Sequence, residues 1–328
     1  MNNMFTYIDY YKDYTFNEIS FNDIDALIFA SLVYIPIMKL SNKKLFMLNN
    51  YIEKPIPKTM GERSLKLYDK MFNTRRYKDI DIIDITKIIN DEVQFGAMTL
   101  KYGNDTFVFF EGTIPNISGW IENFRLSYDA LPKTNQMAIL YLKERLSKSK
   151  YVYVGGHSKG GNMALVSALY NNPDKIIKVY NFDGPGLRKE QIDSKEYQVL
   201  KNRIINFVPE TSLVGMILNN DNCFVVKTGS NKVSSHNLYT WEVFGRFIET
   251  GTLSKPSIKF HNEIEMIINN NSKEDLKNIV DKLAYLLNMK NITKIDDIKQ
   301  INISEITSLF KDDKSRDIVE KLLKIMER

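Results

Sequence analysis

A single cysteine, Cys223, stands in 328 residues, so no internal disulfide can staple the fold and burial of apolar surface must hold it together. Its place in the apolar run CFVV predicts a buried structural thiol rather than a reactive one. Histidine is nearly as scarce. His157, His236 and His261 are the only three, and no Cys/His cluster has the spacing of a metal site, so no metal centre is expected. Excess charge of one sign is missing too: 45 basic against 40 acidic residues leave a net charge of +5, which suits solubility and gives no footprint for nucleic acid. Long hydrophobic runs are also absent. The most apolar stretch, residues 26–38, is too short to span a bilayer, follows Asp23 and Asp25, and reads as a core helix capped by Asn22. The first residues, MNNMFTYIDYYKDY, carry acids and no basic segment ahead of an apolar core, so they do not read as a signal peptide and cytoplasmic residence is expected. The chain has no internal repeat and no low-complexity linker.

At 43% hydrophobic and 26% charged, the chain is globular and long enough for one large α/β unit with an appendage. Helical spacing of apolar residues predicts helices at 22–35 and 59–72, separated by turn residues Pro55 and Pro57. Residues 93–100 and 106–111 (VQFGAMTL, TFVFFE) read as strands joined by a Gly/Asn hairpin connection at 101–105. Helix and strand then alternate: helices at 134–148, 161–170, 188–200 and 237–249, and strands at 151–154, 176–182, 203–208 and 223–227. Strands separated by helices imply right-handed βαβ units and a mostly parallel sheet flanked by helices. Beyond residue 255 the character changes to a Lys/Asn-rich helical tail with amphipathic runs at 274–287 and 315–326. The expected division is therefore a body at 1–255 and a helical extension of two to four helices at 256–328, its charges forming a solvated face.

The most informative stretch is YVYVGGHSKGGN, residues 151–162. A buried strand runs into a glycine pair, and a helix follows Gly160-Gly161. Between them Gly156, Ser158 and Gly160 form G-x-S-x-G, the sharp strand-to-helix turn that exposes a serine Oγ at the carboxyl end of a sheet. The Lys159 amide, at the start of the helix, has no intrahelical partner and can face an oxyanion. The bland alternative is a glycine-rich turn carrying an ordinary serine. His157 points away from Oγ and reads as packing. The Lys159 side chain reads as an exposed helix-start residue, one that could also meet an anionic head group.

A nucleophile needs a base and an orienting acid. His236, in the loop VSSHNLY after the strand at 223–227, occupies the position of the base in the chain order Ser, acid, His. His261 falls in the tail, after that fold should have closed. Three carboxylates compete for the acid: Glu210 after the strand 203–208 ranks first, Asp183 in NFDGPG second, and Asp221 third. Asp183 has the plain alternative of organising its turn, and Asp221 that of a solvated loop residue. The second half of an oxyanion hole is expected from Gly112 and Thr113, which follow an apolar strand and precede the helix holding Trp120. The apolar segment SLVGMIL, 212–218, reads first as core packing and second as an acyl-pocket lining or lid.

Taken together, EGT with the following GW and N-F, then GGHSKGGN, NFDGPG, VPETSLVGM and a loop histidine resemble the class 3 lipase branch of the α/β-hydrolases. More closely, they resemble bacterial lipase-like proteins of unassigned function that share the GHSKGGN elbow. The resemblance covers residues 4–250, including the helix FNDIDALIFASLVY. It implies an α/β-hydrolase fold, with Ser158 as nucleophile, His236 as base and the Gly112-Thr113 turn as oxyanion contributor. Two departures stand out: Glu111 replaces the usual Arg before Gly-Thr, and Glu210 stands where Asp is typical.

The mechanism implied is acyl transfer from a small-molecule or lipid ester, or a thioester, through an acyl-enzyme, without a cofactor and with room for transient contact at a membrane surface. Two other readings stay open. One is a catalytically silent binding or scaffold protein on the same fold, the other a serine peptidase or amidase using the same triad.

Overall fold

The order of the strands along the sheet is the same as their order along the chain, and this decides where everything else sits. In the computed structural model, residues 2–54, 60–90, 93–113, 117–229, 232–292 and 295–326 are described. Pro55 and Pro57 lie outside them. Eight strands form the sheet: β1 (Lys39–Lys44), β2 (Asp81–Ile89), β3 (Gln94–Tyr102), β4 (Asp105–Phe110), β5 (Tyr151–His157), β6 (Ile176–Phe182), β7 (Ile204–Pro209) and β8 (Cys223–Val226). β1 to β4 pair antiparallel, and β4 to β8 pair parallel.

Right-handed crossovers between strands laid down in one direction must all pass over the same face of the sheet. The connecting helices α5 (Lys133–Lys148), α6 (Lys159–Leu169), α7 (Lys189–Ile192) and α8 (Lys195–Leu200) do so. They share one core with Val108, Phe110, Val152, Val154 and Val179. Strand alternation then turns Phe107, Phe109, Tyr180, Phe182 and Phe207 to the opposite face. That face would be bare without the N-terminal helices α1 (Met4–Tyr11), α2 (Asp23–Leu32) and α3 (Met60–Met71), which cover it. Asn22 caps α2, its Oδ1 accepting the Ile24 amide at 3.0 Å. Asp25, fully buried in α2, binds Arg76 through Nε at 2.8 Å and Nη2 at 2.5 Å and also accepts the hydroxyls of Tyr7 and Tyr77.

A third apolar cluster lies at one end of the body. Helices α9 (Lys255–Asn269), α10 (Lys273–Met289), α11 (Ile303–Leu309) and α12 (Asp313–Met326) pack together and enclose Ile121 and Phe124 of α4 (Ile117–Arg125) with Ile217 and Leu218. The segment 212–218 is thus core, but a core shared with the extension. With its mostly parallel sheet between two helical layers, the chain has the α/β-hydrolase fold.

Three sequence expectations need correction. Residues 237–249 form no α-helix: one 3₁₀ turn at Leu238–Thr240 leads to a hairpin of β9 (Val243–Phe244) and β10 (Phe247–Ile248). Leu238, Trp241 and Phe244, three residues apart, imitate a helical face, but Gly245, at φ 58°, reverses the chain between Phe244 and Phe247. Strands β1 and β2 extend the sheet ahead of residue 93, where β1 (KLSNKK) has no apolar alternation because it is an edge strand. Cys223 is exposed, since β8 is the other edge; its thiol donates to the Asn220 carbonyl at 3.3 Å.

Candidate active site

β5 ends at His157, and Ser158 turns the chain into α6 with φ 57° and ψ −133°, a conformation that costs a non-glycine residue stability. The turn is held because the Ser158 amide donates to the Phe182 carbonyl of β6 at 3.0 Å. A side chain at Gly160 would collide with the Phe110 carbonyl, so α6 can approach β4 this closely only with glycine there. Ser158 itself is 7% exposed.

Among the three candidate acids, Asp183 is the one beside His236. The imidazole Nδ1 lies 2.6 Å from Asp183 Oδ2. Asp183 is 1% exposed, sits at φ 49° directly after β6, and also accepts from Ser212 Oγ at 2.5 Å and the Gly215 amide at 3.1 Å. Three donors on one buried carboxylate fix its orientation and offset the cost of burying it. Glu210, ranked first from the sequence, is turned elsewhere. Its carboxylate accepts the amides of Thr228 and Thr252, both at 3.4 Å. Asp221 takes the Tyr197 hydroxyl at 3.1 Å. Strand order explains the difference: β6 is the direct neighbour of β5, so the residue after β6 lies one strand from the elbow, whereas Glu210 follows β7, two strands away.

Gly112 lies against the elbow, where an added Cβ would stand 2.9 Å from Ser158 Cβ and 2.5 Å from Tyr34 Oη. Its amide, expected from the sequence to face an oxyanion, donates to that Tyr34 oxygen at 3.1 Å and so is engaged in this arrangement. Glu111, before Gly112, pairs with Lys87 Nζ at 2.8 Å, and the same ammonium donates to the Ile35 carbonyl at 2.8 Å. Burial raises the Glu111 pKa, and Lys87 pulls it back.

The Lys159 side chain is 2% exposed, not solvent-facing. Its Nζ sits 2.5 Å from Glu122 Oε2 on α4, which ties that helix to the Ser158 turn. Desolvation lowers the Lys159 pKa, opposed by Glu122. His157, 4% exposed, bridges Tyr34 and His236. Its Nδ1 is 2.9 Å from Tyr34 Oη and its Nε2 2.8 Å from the His236 carbonyl, and the two imidazoles lie 4.4 Å apart at their centres. Burial, with His236 adding to it, lowers the His157 pKa well below the ordinary value. His261 is apart from this group, its Nδ1 bonded to the Met216 carbonyl at 2.8 Å. The sequence offered no signal for Tyr34, Ser212 or Glu122. Asp183 was legible only as the second of three.

A sequence profile described as Mbeg1-like matches residues 71–285. No curated protein matches the chain. Among solved structures, the Rhizomucor miehei lipase propeptide complex is similar at 14% identity and a TM-score of 0.30, over 45% of this chain and 57% of its own, so the chain spans little more than half of that relative. Lip2 lipase from Yarrowia lipolytica shares 11% identity with a TM-score of 0.42, covering 69% of this chain and 94% of its own. A triacylglycerol lipase from Penicillium expansum shares 12% identity with a TM-score of 0.31, covering 53% and 85%.

Proposed function

Because the chain belongs to the Mbeg1-like family across residues 71–285, and that stretch contains Ser158, Asp183 and His236, we propose that it is a serine hydrolase cleaving carboxylic esters through these three residues. The observation that carries the reading is the 2.6 Å contact between His236 Nδ1 and the buried Asp183 carboxylate, in the loop layer next to a serine on a strained turn. A carboxylate that accepts the Nδ1 proton fixes the tautomer and leaves the Nε2 lone pair free to act as base.

The reaction follows from these roles. His236 Nε2 takes the Ser158 proton as Oγ bonds to the ester carbonyl carbon, and the oxyanion rests on the amides of Lys159 and Thr113. Collapse breaks the bond to the alkoxide, which leaves as an alcohol with the proton from His236. Water, deprotonated by the same histidine, then releases the acid and restores Ser158. Each step uses only this chain's residues, the ester and water. Small-molecule and lipid esters fit the resemblance to class 3 lipases. We read residues 1–255 as the catalytic body and 256–328 as a helical extension, whose helices α9 to α12 pack on the body through an apolar core shared with α4 and residues 217–218.

Turnover of chromogenic esters of graded acyl length tests the proposal. Wild type should hydrolyse at least one of the series, with Ser158→Ala and His236→Ala reduced to background. A folded wild type without turnover on any ester would favour the silent binding protein instead.

A further inference from the structure

Two segments far apart in sequence meet beside the elbow, and the residue joining them is one that the hydrolytic steps do not use. A carbonyl only accepts, so His157 Nε2 carries the hydrogen directed at the His236 carbonyl, at 2.8 Å. In a neutral ring Nδ1 is then the acceptor, and Tyr34 Oη, at 2.9 Å, must donate to it. The Tyr34 oxygen in turn accepts the Gly112 amide at 3.1 Å. The result is one directed chain, from Gly112 N–H to the Tyr34 hydroxyl, from that hydroxyl to His157, and from His157 to the backbone of His236.

A second tie runs parallel to it. Lys87 Nζ joins the Glu111 carboxylate to the Ile35 carbonyl, one residue from each end of the Gly112 to Tyr34 bond. The turn after α2 is thereby fastened at two adjacent points to the end of β4. Tyr34 and His157 are buried and the Lys87 to Glu111 pair is half-buried, and the His157 ring lies against that of His236, tilted by 36°.

We propose that Tyr34 and His157 are positioning residues that hold the Gly112-Thr113 loop and the His236 loop at fixed places around Ser158, so that the N-terminal cover of the sheet completes the active site. This rests on the reading of Ser158 and His236 as nucleophile and base. The arm couples the two halves of the machinery that must act together, the oxyanion donors and the base. It requires a neutral His157, because an imidazolium there would stack against the imidazolium that His236 becomes during proton transfer. Burial keeps it neutral.

The test is the rate constant of Ser158 labelling by a fluorophosphonate, together with kcat and KM on the best ester, for wild type, Tyr34→Phe, His157→Phe and the double variant. Tyr34→Phe removes one hydroxyl and nothing else. The labelling rate constant and kcat should each fall about tenfold or more, with KM within about threefold and full labelling amplitude at the end point. The double variant should be no slower than His157→Phe alone, since both break one chain. A role in folding alone would lower the end-point amplitude and leave the rate constant of the labelled fraction unchanged, which would overturn the proposal. So would a Tyr34→Phe rate constant within about twofold of wild type. If Tyr34→Phe does not fold, His157→Gln against His157→Phe decides: the amide can still donate to the His236 carbonyl, so the glutamine variant should recover most of the rate, and equal loss in both overturns the arm. A wild type that does not label removes the hydrolase reading and the arm with it, a result distinct from normal labelling in every variant.

Discussion

At the residue scale, the decisive fact is which carboxylate faces His236. Asp183→Asn keeps the side-chain volume but offers an amide to Nδ1, which favours the wrong tautomer, and kcat on the best ester should fall by about 10³- to 10⁴-fold. Glu210→Gln should stay within about threefold of wild type, because that carboxylate serves the amides of Thr228 and Thr252. Equal losses in the two variants would contradict the assignment. His157 makes a separate prediction for stability. Its pKa lies well below 6.5 in the fold, between the Tyr34 hydroxyl and the His236 ring with Asp183 behind it. Below about pH 6.5 the unfolded chain therefore binds a proton that the folded chain does not. The contribution is present above that pH and is lost as pH falls, at about 1.4 kcal/mol per unit. Urea midpoints from pH 7 down to 5 should show a shallower loss in His157→Phe than in wild type.

At the element scale, buried charge pins helices to the body. Asp25 holds Arg76, Tyr7 and Tyr77 together under α1 and α2, so Asp25→Asn leaves a buried guanidinium without its counter-charge and should cost about 3–5 kcal/mol by chemical denaturation. The elements themselves were legible to different degrees. The β5 elbow, α6 and the βαβ succession were written in local signals: alternating apolar residues, glycine pairs and helical spacing. Which carboxylate meets His236 depends on which strand lies beside which, and NFDGPG and VPETS look equally suited until β6 is seen next to β5. The Glu122 to Lys159 pair and the Tyr34 hydroxyl were invisible for the same reason, each joining segments that only the folded sheet brings together. The helix expected at 237–249 failed locally, because Gly245 overrode an apolar spacing that a hairpin can also satisfy.

At the scale of the whole molecule, sequential strand order sends the crossover helices α5 to α8 to one face, and the N-terminal helices cover the other, with Tyr34 just after α2 meeting Gly112 and His157. The extension α9 to α12 shares its core with α4 and residues 217–218, next to the loop that fixes Asp183 through Ser212 and Gly215. Leu283→Ala, emptying a fully buried position in α10, should cost about 2–5 kcal/mol and reduce hydrogen-exchange protection in α10, α4 and the 213–218 segment together, while α5 and α6 keep theirs. Loss confined to α10 would show that the extension folds apart from the site.

Whether Ser158 is an activated nucleophile is read by intact-mass analysis after fluorophosphonate exposure, with peptide mapping. A single adduct on Ser158 is expected, absent from Ser158→Ala and strongly slowed in His236→Ala. No adduct on a folded wild type, or one on another residue, would contradict it.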